Sequence, residues 1–392
     1  MENTSISLKP DLKKMKNTSP SLHRRFLKQG APLLAIFLAL PLVADAAAQM
    51  PDVPEPQEIR FTSVPDIFNW NINNPQPGWE DTISWFLDLM QEDGPDFMLH
   101  AGDIMDARWW DSSEQVIAKT KEYWGGYLKR FKERDMTVYF AMGDHEYGDD
   151  GGLEIGDISR TFGDQFAKMF NMPRNGPAGN IGRAYYVREG NLLVVTLDTW
   201  VDRGDHFGYT VSDEQLAWFD DVLTEQADAD FTIVQGHLPV VGPVRGRHSS
   251  YSMLEDGTDS ALWKTIVKHG VDAYLCGEHH RVSVLRKDGI WQIVHGALWG
   301  TQLDLNYLRG LVTDDRLTLE LRQFEVKNSG GYIGNHEHRS EKGRPRENVT
   351  LTEYTQTHGP WSLGKLTLKK TAQGPAKVLQ ASGWFADKER RP

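Results

Sequence analysis

Short apolar runs alternate along the chain with stretches whose apolar side chains recur every three or four positions. The first kind of pattern suits a strand buried on both faces, and the second suits an amphipathic helix. "EIRFTSV" (58–64), "DFMLHA" (96–101), "TVYFAM" (137–142), "FTIVQG" (231–236) and "VDAYLCG" (271–277) read as strands. "WEDTISWFLDLMQED" (79–93), with Ile83, Phe86, Leu87 and Met90 on one face, reads as a helix, and so does 113–131. A further helix is expected over 212–226, with Ser212 as its N-cap and Gln215 closing a capping box. Residues 184–198 read as a hairpin turning at Glu189-Gly190-Asn191, and 280–296 as one turning at Lys287-Asp288-Gly289.

Strands interleaved with helices and hairpins predict an α/β fold of packed mixed sheets flanked by helices, spanning residues 58–327. Beyond 327 the texture changes. Residues 328–361 are polar and read as a long loop; 363–385 reads as a hairpin turning at 372–375. The hairpin is expected to add two strands to an existing sheet, so that 328–392 is an extension of the same domain.

At the other end, residues 1–48 read as a secretory signal peptide. A basic segment (23–30) precedes an apolar run (31–44) and a small-residue end, "ADAAAQ" (44–49). The run falls short of the ~20 residues that span a bilayer. Residues 49–57 are a Pro-rich linker. The expectation is a periplasmic or extracellular protein with no membrane association once the signal is removed.

Formal net charge is −12, and residues 1–48 hold seven Lys/Arg against three Asp/Glu, so the remainder is more acidic still. Such a chain is a poor non-specific binder of nucleic acid. Bound cations could neutralise part of that charge. Cys276 is the only cysteine, which rules out an internal disulfide, and its apolar strand suits a core thiol better than a nucleophile.

The chemistry gathers at the ends of the strands. Strand 58–64 runs into Asp66, 96–101 into Gly102-Asp103, and 137–142 into Gly143-Asp144-His145-Glu146. Strand 231–236 runs into His237, and 271–277 into Glu278-His279-His280. Ligand crevices in α/β sheets form at the carboxyl ends of strands. Carboxylates converging there repel one another unless cations neutralise them. A second Gly-x-His-Glu, Gly334-Asn335-His336-Glu337, has no strand before it and is read as a coincidental match.

The order Asp, Gly-Asp, Gly-x-His-Glu, His, Gly-x-x-His over residues 58–300 resembles the calcineurin-like metallophosphoesterase superfamily. That resemblance implies a four-layer α/β/β/α sandwich with two mixed sheets around two divalent metal ions. It also implies hydrolysis of a small phosphate ester, mono- or diester, by a metal-bound hydroxide. Position by position, Asp66 matches a ligand of the first site, Asp103 the bridging carboxylate, and His237 and His280 further ligands; Asp103 thus also belongs to the catalytic set. His145 matches the group thought to contact substrate and protonate the leaving oxygen. Three positions depart from the family pattern. Phe68 stands where a ligand His is usual, with Asn69 beside it as a substitute; Asp144 replaces an Asn, and Glu278 replaces a His. The expected first site is then Asp66, Asp103 and His280 with Asn69, and the second is Asp103, Asp144, His237 and Glu278. Oxygen-rich ligation moves preference from Zn toward Mn, Fe, Mg or Ca.

Arg108, in "DARWWD" (106–111), and His206, in a loop, are candidate substrate contacts. The adjoining Trp pair could equally pack beneath the next helix. His100, His248, His269 and His295 read mostly as surface or satisfied polar residues, with His295 able to reach the site edge. Two other readings stay open: a non-catalytic metal-binding relative of the same fold, and a metallohydrolase acting on a non-phosphate bond.

Overall fold

Along 192–195 the side chains of Leu192 and Val194 enter one apolar cluster, and those of Leu193 and Val195 enter another. The period of two is that of a strand covered on both faces. The same split occurs on the strand at 97–100, where Phe97 and Leu99 enter the first of these clusters and Met98 a third. Three apolar clusters separate four layers, so the architecture is an α/β/β/α sandwich.

This computed structural model describes residues 58–67, 78–92, 94–104, 112–148, 156–246, 249, 251–296, 304–328, 354–371 and 376–386. In chain order the strands are β1 (Ile59–Ser63), β2 (Phe97–His100), β3 (Val138–Phe140), β4 (Tyr185–Glu189), β5 (Leu192–Thr196), β6 (Val201–Asp202), β7 (Phe207–Gly208) and β8 (Phe231–Gln235). They continue with β9 (Ala273–Cys276), β10 (Ser283–Lys287), β11 (Ile290–Val294), β12 (Asp304–Val312), β13 (Arg316–Asn328), β14 (Tyr354–Lys369) and β15 (Lys377–Ala381). The helices are α1 (Trp79–Gln91), α2 (Ser113–Glu133), α3 (Asp157–Met169), α4 (Asp213–Glu225) and α5 (Ala261–His269).

One sheet has the order β15-β14-β13-β12-β1-β2-β3, the other β10-β11-β9-β8-β5-β4, and β6 and β7 form a small ribbon. The sheets face each other across a core that includes Phe61, Leu99, Val194, Ile233, Leu275, Leu308 and Leu319. Helices α1, α2 and α3 cover the outer face of the first sheet through Phe86, Trp124 and Phe166. Helices α4 and α5 cover the second through Phe219, Leu262 and Trp263. Each such side chain removed from water contributes about 1.5–3 kcal/mol. Strands β1, β2 and β3 run parallel, as do β5, β8 and β9. Their carboxyl ends therefore share an edge within each sheet, and that edge carries the motifs.

Several expectations change. Ser212 caps α4 by accepting from Gln215 N–H, but the Gln215 side chain does not return to Ser212. Its Oε1 accepts from Asp198 N–H and its Nε2 donates to Asp198 O, so it serves the tip of β5 and the capping box is half made. The stretch read as loop to residue 361 already contains strand, since β14 begins at Tyr354, opposite Asn328 of an unusually long β13. Its register pairs Tyr354, Thr355 and Gln356 with Asn328, Lys327 and Val326 across the sheet, a non-local partner that polar composition does not announce. Helices α3 and α5, and strands β12 and β13, were not anticipated. Helix α5 nonetheless carries plain punctuation, with Ser260 accepting from Trp263 N–H at its start and Gly270 (φ 65) at its end. Among the described residues, no helix is long and apolar enough to cross a membrane. The signal-peptide segment, the linker, Phe68, Asn69, Arg108, the Trp pair, His248, the late Gly334–Glu337 tetrapeptide and the 372–375 turn lie outside the described residues.

Candidate metal centre

Five strand ends bring their side chains to one buried spot. Asp66 follows β1, Asp103 follows β2, Asp144 follows β3, His237 follows β8, and Glu278 and His280 follow β9; each is at most 6% exposed. They fall into two adjoining groups that could each hold a metal ion. One is Asp103, Asp144, His237 and Glu278; the other is Asp66, Asp103 and His280, so Asp103 belongs to both. In the first group His237 Nε2 lies 3.3 Å from Asp103 Oδ2, 3.3 Å from Asp144 Oδ1 and 3.4 Å from Glu278 Oε2. The second is looser, with His280 Nε2 4.0 Å from Asp66 Oδ1.

The backbone is bent to make this convergence. Asp66 (φ 56), Asp103 (φ 62), Glu278 (φ 70) and His280 (φ 55) all adopt the left-handed conformation. That region costs residues with a Cβ on the order of 1–3 kcal/mol each, and it clusters at functional sites. Glycines make room. A Cβ on Gly143 would collide with Asp103 Oδ1, and one on Gly277 would lie 2.7 Å from Asp66 Oδ2.

Glu146 is the main fastener, and its role escaped the sequence reading although it completes the quoted tetrapeptide. Its buried carboxylate accepts from the N–H groups of Asp103 (2.8 Å), Ile104 (2.9 Å) and Gly143 (2.8 Å), tying the ends of β2 and β3 together. On the other sheet, Glu278 N–H donates to Asp66 Oδ1 at 3.1 Å, and Ser252 N–H donates to Glu278 Oε1 at 3.0 Å.

The donor atoms suit cations. Asp66 Oδ2, both carboxylate oxygens of Asp144 and His237 Nε2 are buried without a hydrogen bond, a costly arrangement unless an ion takes up the lone pairs. His237 Nδ1–H donates to Ala101 O at 2.8 Å, which aims Nε2 inward, as an outer partner does for a ligating histidine. Burial pushes Asp66 well above the usual carboxylate range; burial and the adjacent Asp144 raise Asp103 to about 7. Burial disfavours a charged His237, yet Asp103, Asp144 and Glu278 hold its imidazole well above its ordinary value. A proton on Nε2 and a divalent cation are therefore alternative answers to the same negative charge, and cation binding would release protons.

His145 stands beside these groups rather than in them. Its N–H donates to Asp103 Oδ1 at 3.3 Å, and its Nε2 is 3.8 Å from Asp103 Oδ2. His206 is exposed in the segment joining β6 to β7 and pairs with Asp205 at 2.6 Å. Both His100 and His295 are fully buried; His295 is a satisfied polar residue as expected, whereas His100 departs from the surface or satisfied reading. His295 Nε2 bonds Ser63 Oγ at 2.9 Å, and burial lowers its pKa to about 4. His100 packs on Phe140, its ring nitrogens make no hydrogen bond among the described residues, and burial lowers its pKa to about 3. Both imidazoles are neutral core groups.

The profile of the calcineurin-like phosphoesterases matches residues 59–282, more than half of the chain. The chain belongs to this family. Among curated relatives, tartrate-resistant acid phosphatase type 5 of Oryctolagus cuniculus is 25% identical over 227 residues, 53% of this chain and 63% of that protein. The Rattus norvegicus protein of the same name is 25% identical over 179 residues, 42% of this chain and 49% of its own length. The chain thus spans 49–63% of the length of these relatives. A solved structure of a dimetal phosphatase from Danio rerio superimposes with a TM-score of 0.51 at 14% identity, covering 67% of this chain and 95% of that one. That likeness concerns the fold. The chain is thus a member of the calcineurin-like phosphoesterase family that carries two acidic and histidine groups able to hold metal.

Proposed function

We propose that the chain is an exported, metal-dependent phosphohydrolase acting on small phosphate esters, monoesters foremost. One observation carries this reading: two buried, oxygen-rich donor groups share Asp103 and leave several donor atoms without hydrogen bonds. The acid phosphatase relatives favour a monoester.

The residues that would hold ions are Asp66, Asp103 and His280 on one side and Asp103, Asp144, His237 and Glu278 on the other. Bound there, divalent ions supply Lewis acidity toward a phosphoryl oxygen and lower the pKa of water. Asp103 keeps the two positions adjacent, and the aimed Nε2 of His237 keeps one of them from drifting. His145 is the group free of both sets yet next to the shared carboxylate, so it is assigned the proton for the departing alkoxide. The buried walls exclude bulk water and strengthen these interactions.

The test is turnover of 4-nitrophenyl phosphate and bis(4-nitrophenyl) phosphate by chelated protein resupplied with Mn, Fe, Mg, Ca or Zn. Activity lost on chelation, restored by a divalent ion and larger on the monoester is expected. Tight metal binding without turnover would favour a non-catalytic relative, a reading that Phe68 in the first motif keeps in play. For export, the N-terminus of the secreted protein is expected between Ala46 and Gln49; a retained apolar segment would refute it.

A further inference from the structure

His145 sits in a single 3-10 turn, His145–Tyr147. Such a turn has few bonds of its own; here Tyr147 N–H reaches Asp144 O at 2.9 Å, and Gly148 N–H reaches His145 O at 3.1 Å. The carboxylate of Glu146 is fastened by three backbone N–H groups and Asp144 is carried by the end of β3, but His145 is kept beside Asp103 by the turn itself. Something outside must hold it.

The outside hold is Tyr147. Its ring is buried against Phe207 (centroids 4.6 Å apart) and Trp200 (6.4 Å). Its hydroxyl donates to Asp198 Oδ2 at 2.8 Å. Asp198 is fully buried at the end of β5, on the other sheet, and is itself immobilised. Asn180 Nδ2 and Arg183 Nε each donate to the same oxygen at 3.0 Å, and Trp200 N–H donates to Oδ1 at 3.2 Å. The Gln215 side chain bonds both backbone groups of Asp198, which explains why it left the capping box. Arg183 supplies the charge that a buried carboxylate requires. Burial and Asp198 push the Tyr147 hydroxyl well above the usual phenol range, so it remains a donor rather than a titrating group.

We infer that Asp198 is a positioning residue, which acts through the Tyr147 hydroxyl to hold the His145 turn in register with Asp103. This rests on the reading of His145 as the proton donor. Asp198 belongs to neither donor group, so its effect should appear in proton delivery and not in metal content.

The experiment compares the parent with Tyr147→Phe, His145→Ala and the double variant, on an alkyl phosphate and on 4-nitrophenyl phosphate, whose leaving group departs without a proton. Tyr147→Phe keeps the ring and leaves Asp198 paired to Asn180 and Arg183, so folding is preserved. Expected is a roughly tenfold loss of kcat on the alkyl ester, at most a twofold loss on the aryl ester, unchanged KM and unchanged bound metal. The double variant should be no worse than His145→Ala alone. Asp198→Asn should follow Tyr147→Phe. Equal losses on both substrates, multiplicative losses in the double variant, or reduced metal content would overturn the inference. If His145→Ala itself hits both substrates alike, the proton-donor reading fails and the inference falls with it. If His145→Ala depends on the leaving group and Tyr147→Phe does not, only the tether is wrong.

Discussion

The two donor groups at the strand ends share Asp103 but are built differently. Around His237 Nε2, three carboxylate oxygens from three strand ends lie within 3.3–3.4 Å, and the imidazole is aimed by its bond to Ala101 O. Among the described residues the group around Asp66 adds just Asp103 and His280 as possible ligands, and His280 Nε2 is 4.0 Å from Asp66 Oδ1. The departures from the family pattern run in the same direction: Glu278 stands where one donor is exchanged for another, and Phe68 where a ligand His is usual. A site tolerates a change of donor element better than the loss of a donor, because the first shifts metal preference and the second lowers the number of bonds.

The largest effect should come from what the groups share. Asp103→Asn should lower turnover by roughly a thousandfold or more, the scale of removing a principal electrostatic group. Metal analysis should show both positions depleted; loss of one ion alone would mean that Asp103 does not bridge. Separating the groups should act less. Titration of the chelated protein is expected to show one tight and one weak divalent site, and Asp66→Asn should abolish the weak one while weakening the tight one by less than tenfold. Glu278→His should move the tight site from Mn toward Zn by about 10–100-fold in relative affinity. Two equal Zn sites in the parent, or better Mn binding in Glu278→His, would break the comparison.

A smaller effect tests the ground beneath the Asp66 group. His295 holds Ser63 on β1, and burial lowers its pKa to about 4 from an ordinary 6.5. The folded form excludes a proton that the unfolded chain accepts. The stability His295 contributes is therefore complete above about pH 6.5 and falls by up to ~1.4 kcal/mol per pH unit as pH drops toward 4. Calorimetry of His295→Gln between pH 7 and 5 should show a shallower fall in Tm than the parent; parallel curves would refute the assignment. The smallest effect is expected at the late tetrapeptide, where His336→Ala should leave turnover within about threefold, far less than a catalytic group would cost.

Which parts were legible follows from range. Strands β1, β2, β3, β8 and β9, helices α1, α2 and α4, and the hairpins β4–β5 and β10–β11 announce themselves through apolar periodicity within a dozen residues. Helix α3 and strands β12 and β13 did not stand out, and the start of β14 was hidden because its polar residues are held by pairing with β13. In the site, Asp66, Asp103, Asp144, His237, Glu278 and His280 were legible because each follows a strand. The duties of Glu146, Asp198 and Ser252 were not, since each acts on a backbone or side chain far away in sequence. The burial of His100 was hidden for the same reason: burial belongs to the layer above a residue and is not a local property.

By itself, the order of the residues determined which side chains could ligate and that each stands at the end of a strand, because period and punctuation are local. Only the tertiary structure decided that two sheets would stack with those ends together. It also decided that four residues would bend into the left-handed region, and that Asp103 would fall into both groups. Those outcomes come from burying three apolar layers at once, and no single segment carries that energy.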